Sequence, residues 1–358
     1  MLSPMPTPTT PGHVFVMHGD ITRLGCDAWL LPVDGALNVR PHWSRTVGRI
    51  TDQWSFPAHP EGWSADDPGA WGSTDNRVLM VEDWPNELPR PWLTEVGAFD
   101  VPVSWYVEGA HQFLRQAADW VRESGQSFLR QRQRPLLALP LVGTGKGGAR
   151  HTSGKVVQQL MPMLYDVART LGVDVVLVTK QSADYAAAQA SRRKHNRGGV
   201  RDPWPELHPN LRDIAGNLAL RAAHGELVTF IGAGVSFGAG LPDWNELLLA
   251  LGNRSGLDPG QRGALARMGY LDRAQVLAHH FESRGGLGRA VAEELKRHHC
   301  YAMSHGFLAS LPVSEVVTTN YDRLFEAASA ATGRKLAVLP YAPTAGHDRW
   351  LLKMHGCV

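Results

Sequence analysis

Two rhythms of apolar and polar positions run along this chain. Short, nearly continuous apolar runs predict strands over residues 14–17, 27–33, 77–81, 95–101, 136–141 and 173–179. Between them apolar residues recur at helical spacing. Val107, Ala110, Phe113, Leu114, Ala117 and Val121 predict a helix over 105–122, and further helices are expected over 153–171 and 183–190. Strands that alternate with helices point to a layered α/β domain. Residues 40–77 break the rhythm. They are rich in Trp, Pro, Gly and Asp, and read as a long irregular insertion with one short helix.

The rhythm resumes with a helix over 211–224. The apolar run 227–231 reads as a buried parallel strand. A helix starts near Asn245, and 265–297 is largely helical, most clearly at 274–281 and 287–297. A helix over 305–311, a strand over 314–319, a helix over 323–331 and strands over 335–340 and 350–354 follow. The fold class is α/β in two domains. The division is a disordered tail over 1–12, a first domain over 13–190, a linker over 191–209 and a second domain over 210–358. The linker rests on composition: SRRKHNRGGVRD carries five Lys/Arg and a Gly-Gly pair, and Pro203, Pro205 and Pro209 follow.

Composition narrows the function classes. The chain has 358 residues, 43% hydrophobic and 20% charged, as expected of a globular protein with two domains. A net charge of +2 gives no global field for nucleic acid or anionic membrane. The basic linker could meet phosphate, but no aromatic residue is interleaved with its charges, so solvation is the favoured reading. Cys26, Cys300 and Cys357 form neither a disulfide framework nor a C-x-x-C pair for zinc, and no metal is expected. No apolar stretch reaches membrane-spanning length, and MLSPMPTPTTPG is not a secretory signal. These features together predict a cytoplasmic protein.

The candidate chemistry begins where strand 227–231 breaks into Gly232-Ala233-Gly234, with Ser236, Gly238, Gly240, Pro242 and Trp244 behind it. Strand, glycine turn and helix bring backbone N–H groups and a helix N-terminus up to a pyrophosphate. The spacing departs from GxGxxG, so by itself the turn is as readily a plain strand–helix connection. Two later stretches follow, Thr318-Thr319-Asn320-Tyr321-Asp322 and His355-Gly356. The ordered set resembles the sirtuin family over residues 210–358, most closely its bacterial, defence-associated members that consume NAD.

That resemblance implies a Rossmann domain and a set of roles. Gly232, Ala233, Gly234 and Ser236 would cradle phosphate, and Pro242 and Trp244 would line the nicotinamide side. Thr319 would bind NAD beside them. Asn320 would place water or a ribose hydroxyl, Asp322 would hold the nicotinamide ribose or carboxamide, and His355 would be the general base. Plainer readings stand beside these. Ser236 is as readily a helix cap as a ligand, and Asn320 or Asp322 could each be an N-cap. His279, His280, His298 and His299 read as surface or packing residues. Deacylases of the family carry a zinc-binding Cys₄ module, absent here, and Gln where this chain has Thr319. Both departures favour NAD cleavage over deacylation. The family's sheet has further strands after the His-Gly turn, so a chain that stops at Val358 reads as a fragment or a shortened form.

The first domain holds a second glycine loop. Gly19-Asp20-Ile21-Thr22 and Gly143-Thr144-Gly145-Lys146-Gly147-Gly148 resemble the opening and the diphosphate loop of a macro domain over 13–190. Asp20 could accept from an adenine amine, with Ile21 beside it. Gly143, Thr144, Gly145, Lys146 and Gly147 could cradle a diphosphate. A tight βα loop is the plainer reading. The turn Pro32-Val33-Asp34-Gly35 lacks the family's Asn-rich sequence, so binding is expected rather than hydrolysis. The combined expectation is an NAD+ hydrolase, an anti-phage effector gated by a nucleotide-sensing module. NAD is its substrate, an ADP-ribose-type ligand and a second copy of the chain are its partners, and membrane and nucleic acid are not. The alternatives are a non-catalytic ADP-ribose or NAD-binding regulator and, below it, an NAD-dependent deacylase.

Overall fold

The computed structural model describes residues 11–34, 39, 43, 77–82, 84–97, 101–127, 132–143, 152–197, 204 and 206–357. The chain divides into two units, Met1–Asn217 and Leu218–Val358. Both are α/β with mainly parallel sheets. The expected tail is described only at residues 11 and 12, and most of the 40–77 insertion lies outside the described residues.

The first unit holds strands β1 Val14–His18, β2 Ala28–Val33, β3 Val78–Met80, β4 Arg90–Glu95, β5 Leu136–Pro140 and β6 Asp174–Thr179. Helices α1 Val103–Ser124, α2 Ser153–Leu171 and α3 Ser182–Arg197 alternate with the later strands. The sheet order is β1-β6-β5-β2-β4-β3, with only the β3–β4 pair antiparallel among the described strands. β5 and β6 are buried along their whole length, which is why they read as unbroken apolar runs. Alternate residues of the strands, Val14, Val16, Leu30, Leu137, Leu139, Val175 and Leu177, join the apolar stripes of α1 and α2 in one core. Asp27 ties the start of β2 to β5 by accepting from Leu136 N at 2.7 Å, and accepts from Ser127 Oγ at 2.6 Å.

Two expectations need correction. The strand expected over 95–101 is Arg90–Glu95. Pro89 and Pro91 masked it in the sequence, and Gly97 at φ 73° turns the chain away just where the expected strand would run. The helix expected over 183–190 runs on to Arg197, so residues 191–197 of the basic run are its last turns. His195 stacks on Tyr165 of α2 with ring centroids 3.9 Å apart. Beyond the run, Trp204 stacks on His13 at 5.0 Å and Glu206 Oε1 lies 2.9 Å from His13 Nε2.

Helix α4, Pro209–Ala223, leads into the second unit. Its strands are β7 Val228–Ile231, β8 Glu315–Thr318, β9 Leu336–Leu339 and β10 Arg349–Lys353, all parallel, in the order β7-β8-β10-β9. Between β7 and β8 come α5 Gly234–Phe237, α6 Trp244–Arg254, α7 Pro259–Ala266, α8 Tyr270–Phe281, α9 Leu287–Leu295 and α10 Met303–Ser310. Helix α11, Leu324–Ala331, links β8 to β9. Leu247, Leu248, Leu251, Leu277, Phe281 and Ala290 form a separate core for α6, α8 and α9. The start of α6 is fixed by a capping box between Asp243 and Glu246.

Strand β7 is not the buried strand its apolar run predicts. Among the described strands it stands at the edge of the sheet, with Val228 50% and Phe230 68% exposed and only Ile231 buried. No helix among the described residues is long and apolar enough to cross a membrane.

Candidate active site

The carboxyl ends of β7, β8 and β10 lie side by side, where open parallel sheets hold their ligands. The chain knits these ends together first. Thr319 N donates to Ile231 O at 3.2 Å, and Thr318 Oγ1 donates to the same oxygen at 3.1 Å. Thr318 Oγ1 in turn accepts from Asn320 N at 3.0 Å. The turn after β7 and the loop after β8 are thereby held in contact.

Polar side chains then meet across this junction. Asn320 Nδ2 donates to Gly232 O and to Ser236 Oγ, each at 3.2 Å. A carbonyl oxygen can only accept, so the amide orientation is determined, and Oδ1 is the hydrogen-bonding group Asn320 keeps for other partners. Ser236 is 2% exposed and gives its hydroxyl proton to Asp322 Oδ2 at 2.9 Å. Asp322 Oδ1 accepts from Leu324 N, the first residue of α11, at 3.0 Å, although the N-cap of that helix is Arg323. Asp322 therefore serves helix and site together. Ser236 is no cap: it sits inside α5, whose N-cap is Ala233.

A buried lysine supports the same loop from below. The Lys353 side chain, at the end of β10, is fully buried. Its ammonium donates to Tyr321 O at 3.3 Å, to Asp322 O, and to Glu326 Oε1 at 3.1 Å. Two residues on, His355 is exposed and faces Tyr321 at 6.0 Å between ring centroids. Tyr321 meets Trp244 edge to face, also at 6.0 Å.

Ala233, Ser236, Pro242, Trp244, Thr319, Asn320, Asp322 and His355 line one pocket of about 170 Å³, with Leu241 and Leu247 as apolar wall. Whole ligand pockets are roughly 300–1,000 Å³, so this one holds only a small ligand or part of a larger one. Gly232, in the adjoining turn, and Gly234, the first residue of α5, stand outside the pocket lining and are exposed. Neither has a positive φ, and a Cβ at either would meet no atom within 4 Å. Protein packing does not require glycine at these two positions. Gly240 differs, with φ 79°. Among the described residues no three His, Cys, Asp or Glu side chains are placed to hold a metal ion.

Sequence reasoning missed Tyr321 as a wall residue, Lys353 as the anchor of the loop and His305 behind Ser236. His305 Nε2 lies 3.3 Å from Ser236 Oγ. In the first unit, Asp20 caps the short helical turn Ile21–Arg23, with Oδ1 accepting from Thr22 N at 3.0 Å and Thr22 Oγ1 at 2.7 Å. Ile21 is buried. Gly143 has φ 78° and backs onto Tyr106, whose ring a Cβ would meet at 2.5 Å. Thr144, Gly145, Lys146 and Gly147 lie outside the described residues.

Residues 314–358 match the SIR2-like domain family. The SIR2-like domain stretch contains β8 through β10 and with them Asn320, Asp322, Lys353 and His355. The chain is also 32% identical over 136 residues to NAD(+) hydrolase ThsA of Bacillus cereus (strain MSX-D12). That alignment covers 36% of this chain and 27% of the relative, so the chain spans about a quarter of the relative's length. Among solved structures, the Oceanobacillus iheyensis macrodomain with ADP is 13% identical, covering 51% of this chain and 91% of that one at a TM-score of 0.34. The macrodomain of Thermus aquaticus DarG is 16% identical, covering 47% and 98% at a TM-score of 0.26.

Proposed function

We propose that the protein is an NAD+ hydrolase that cleaves NAD to nicotinamide and ADP-ribose in the pocket beside Gly232. The observation that carries this reading is the convergence of Asn320, Asp322, His355 and Trp244 on one cavity, next to a glycine turn whose backbone is open to a ligand. The SIR2-like domain match and the similarity to an NAD(+) hydrolase support it.

The reaction breaks the bond between ribose C1′ and the pyridinium nitrogen. Nicotinamide leaves with the bonding electron pair and is neutral; water oxygen bonds C1′ and releases a proton. The transition state is oxocarbenium-like, so orientation and placement of water dominate catalysis. Asn320 Oδ1 is an acceptor for that water or for a ribose hydroxyl. His355 is the base that takes the proton. Trp244 and Tyr321 flank the nicotinamide ring. The exposed backbone at Gly232 and Gly234 receives the diphosphate. The first unit, in the same reading, binds an ADP-ribose-type nucleotide through Asp20 and the loop after Gly143 and gates the hydrolase. The whole acts as an NAD-depleting effector in defence of bacteria against phage.

The test is nicotinamide release by Asn320→Ala and His355→Ala variants of the intact protein. Both should stay folded and lose cleavage. Parental rates in both would remove these residues from the mechanism. Binding of ADP-ribose with no cleavage by the parent would favour a non-catalytic regulator.

A further inference from the structure

We propose that His305 is a positioning residue for this cleavage: held as its Nε2–H tautomer, it fixes the Ser236 hydroxyl and through it Asn320 and Asp322. The proposal rests on the NAD hydrolase reading and concerns a residue outside every sequence motif of the site.

His305 is the third residue of α10 and is 1% exposed. Its Nδ1 lies 3.2 Å from the backbone N of Ala302, the N-cap of the same helix. A backbone N–H can only donate, so Nδ1 carries no proton and the neutral imidazole has its proton on Nε2. Nε2 faces Ser236 Oγ at 3.3 Å.

The other end of the chain is equally determined. Ionised Asp322 can only accept, so the single Ser236 proton goes to Oδ2. Ser236 Oγ must then accept from His305 Nε2–H and from Asn320 Nδ2. One proton arrangement satisfies all five groups. In the opposite tautomer Nε2 would compete with Asp322 for the hydroxyl proton, and Nδ1–H would oppose the Ala302 N–H. A doubly protonated ring would meet the same clash at Ala302. Burial works against it too, holding the imidazole down at about 4, with the Asp322 charge opposing that shift.

The helix that carries His305 is pinned at both ends. Ser304 Oγ donates to Val235 O at 2.9 Å, beside Ser236. At the far end the buried Arg349 guanidinium donates to Ala309 O at 3.0 Å, to Val313 O at 2.8 Å and to Leu311 O. Gly238 lets α10 approach: a Cβ there would lie 3.1 Å from Ala302 Cβ.

Two readouts on the intact protein test the proposal. A two-bond ¹H–¹⁵N correlation spectrum reports imidazole tautomers directly, with His305 assigned by its loss in His305→Gln. The expected pattern is Nε2–H, unchanged from pH 8 to pH 5.5. A Nδ1–H pattern, or titration near the ordinary histidine value, would overturn the proposal whatever the activity. The second readout compares two variants. His305→Gln retains a donor toward Ser236; His305→Asn retains an acceptor for Ala302 N and loses that donor. The Gln variant should keep kcat within a few-fold, and the Asn variant should lose about 10-fold or more with KM little changed. Equal kcat in both variants would overturn the positioning role. A parent that releases no nicotinamide would sink the hydrolase reading and the role together, while the tautomer would still test the proton arrangement.

Discussion

Ser236 donates its hydroxyl proton to Asp322 Oδ2 across 2.9 Å, joining the turn after β7 to the loop after β8. The two residues are 86 apart in sequence, and the bond is the shortest polar link between the glycine turn and the Asn-Tyr-Asp loop. Ser236→Ala removes this donor and leaves Asn320 Nδ2 and His305 Nε2 each short of an acceptor. We expect a loss of about 1–3 kcal/mol in urea unfolding, together with a reduced kcat for NAD cleavage. An unchanged unfolding midpoint would show that the hydroxyl contributes no stability.

The glycines of the turn divide by what each would meet. Gly234→Ala and Gly232→Ala place a Cβ in open space, so the unfolding midpoint should stay near the parent while KM for NAD rises. Gly240→Ala instead forces a side chain into the left-handed region, at a cost of about 1–2 kcal/mol. Thermal denaturation alongside NAD kinetics separates the two classes. A stability loss at Gly232 matching that at Gly240 would contradict the assignment.

Lys353 holds the site loop by two carbonyls and Glu326. Lys353→Met leaves Glu326 and those carbonyls without their cation, and should cost about 3–5 kcal/mol in urea unfolding. Pairing it with Glu326→Gln should recover part of the loss, because the carboxylate is then no longer left unpaired. No recovery would place the main energetic role on the carbonyl bonds.

His305 contributes to the pH dependence of stability, alongside His298, which burial also pushes below the ordinary histidine value. The folded value of His305, near 4, lies below the ordinary 6.5 of the unfolded chain. Between these values the unfolded state binds more protons, so the stability His305 contributes is complete above about pH 6.5 and falls as pH drops toward 4. His305→Gln should flatten the slope of unfolding free energy against pH in this window relative to the parent. Parallel slopes would mean that His305 titrates alike in both states.

Much of the site was legible because its residues follow the carboxyl ends of neighbouring parallel strands. Asn320 and Asp322 come directly after β8, and His355 shortly after β10, so motif order translated into spatial proximity. His305 and Lys353 were not legible. One is a histidine in the first turn of a helix with no motif around it, and the other a lysine at a strand end, which reads as solvated. Only tertiary contact gives either a role. The same limit explains β7: its apolar run matched a buried strand, but its place at the sheet edge leaves Phe230 open. In the first unit, Pro89 and Pro91 concealed β4, while the continuous runs of β5 and β6 were plain because both faces are buried.

The most direct measurement is NAD turnover by the intact, unmodified protein with no acylated peptide present, following nicotinamide and ADP-ribose together. The account predicts equal molar release of both, abolished by Asn320→Ala. No nicotinamide release with or without an ADP-ribose-type ligand, or release only when an acylated peptide is supplied, would contradict it.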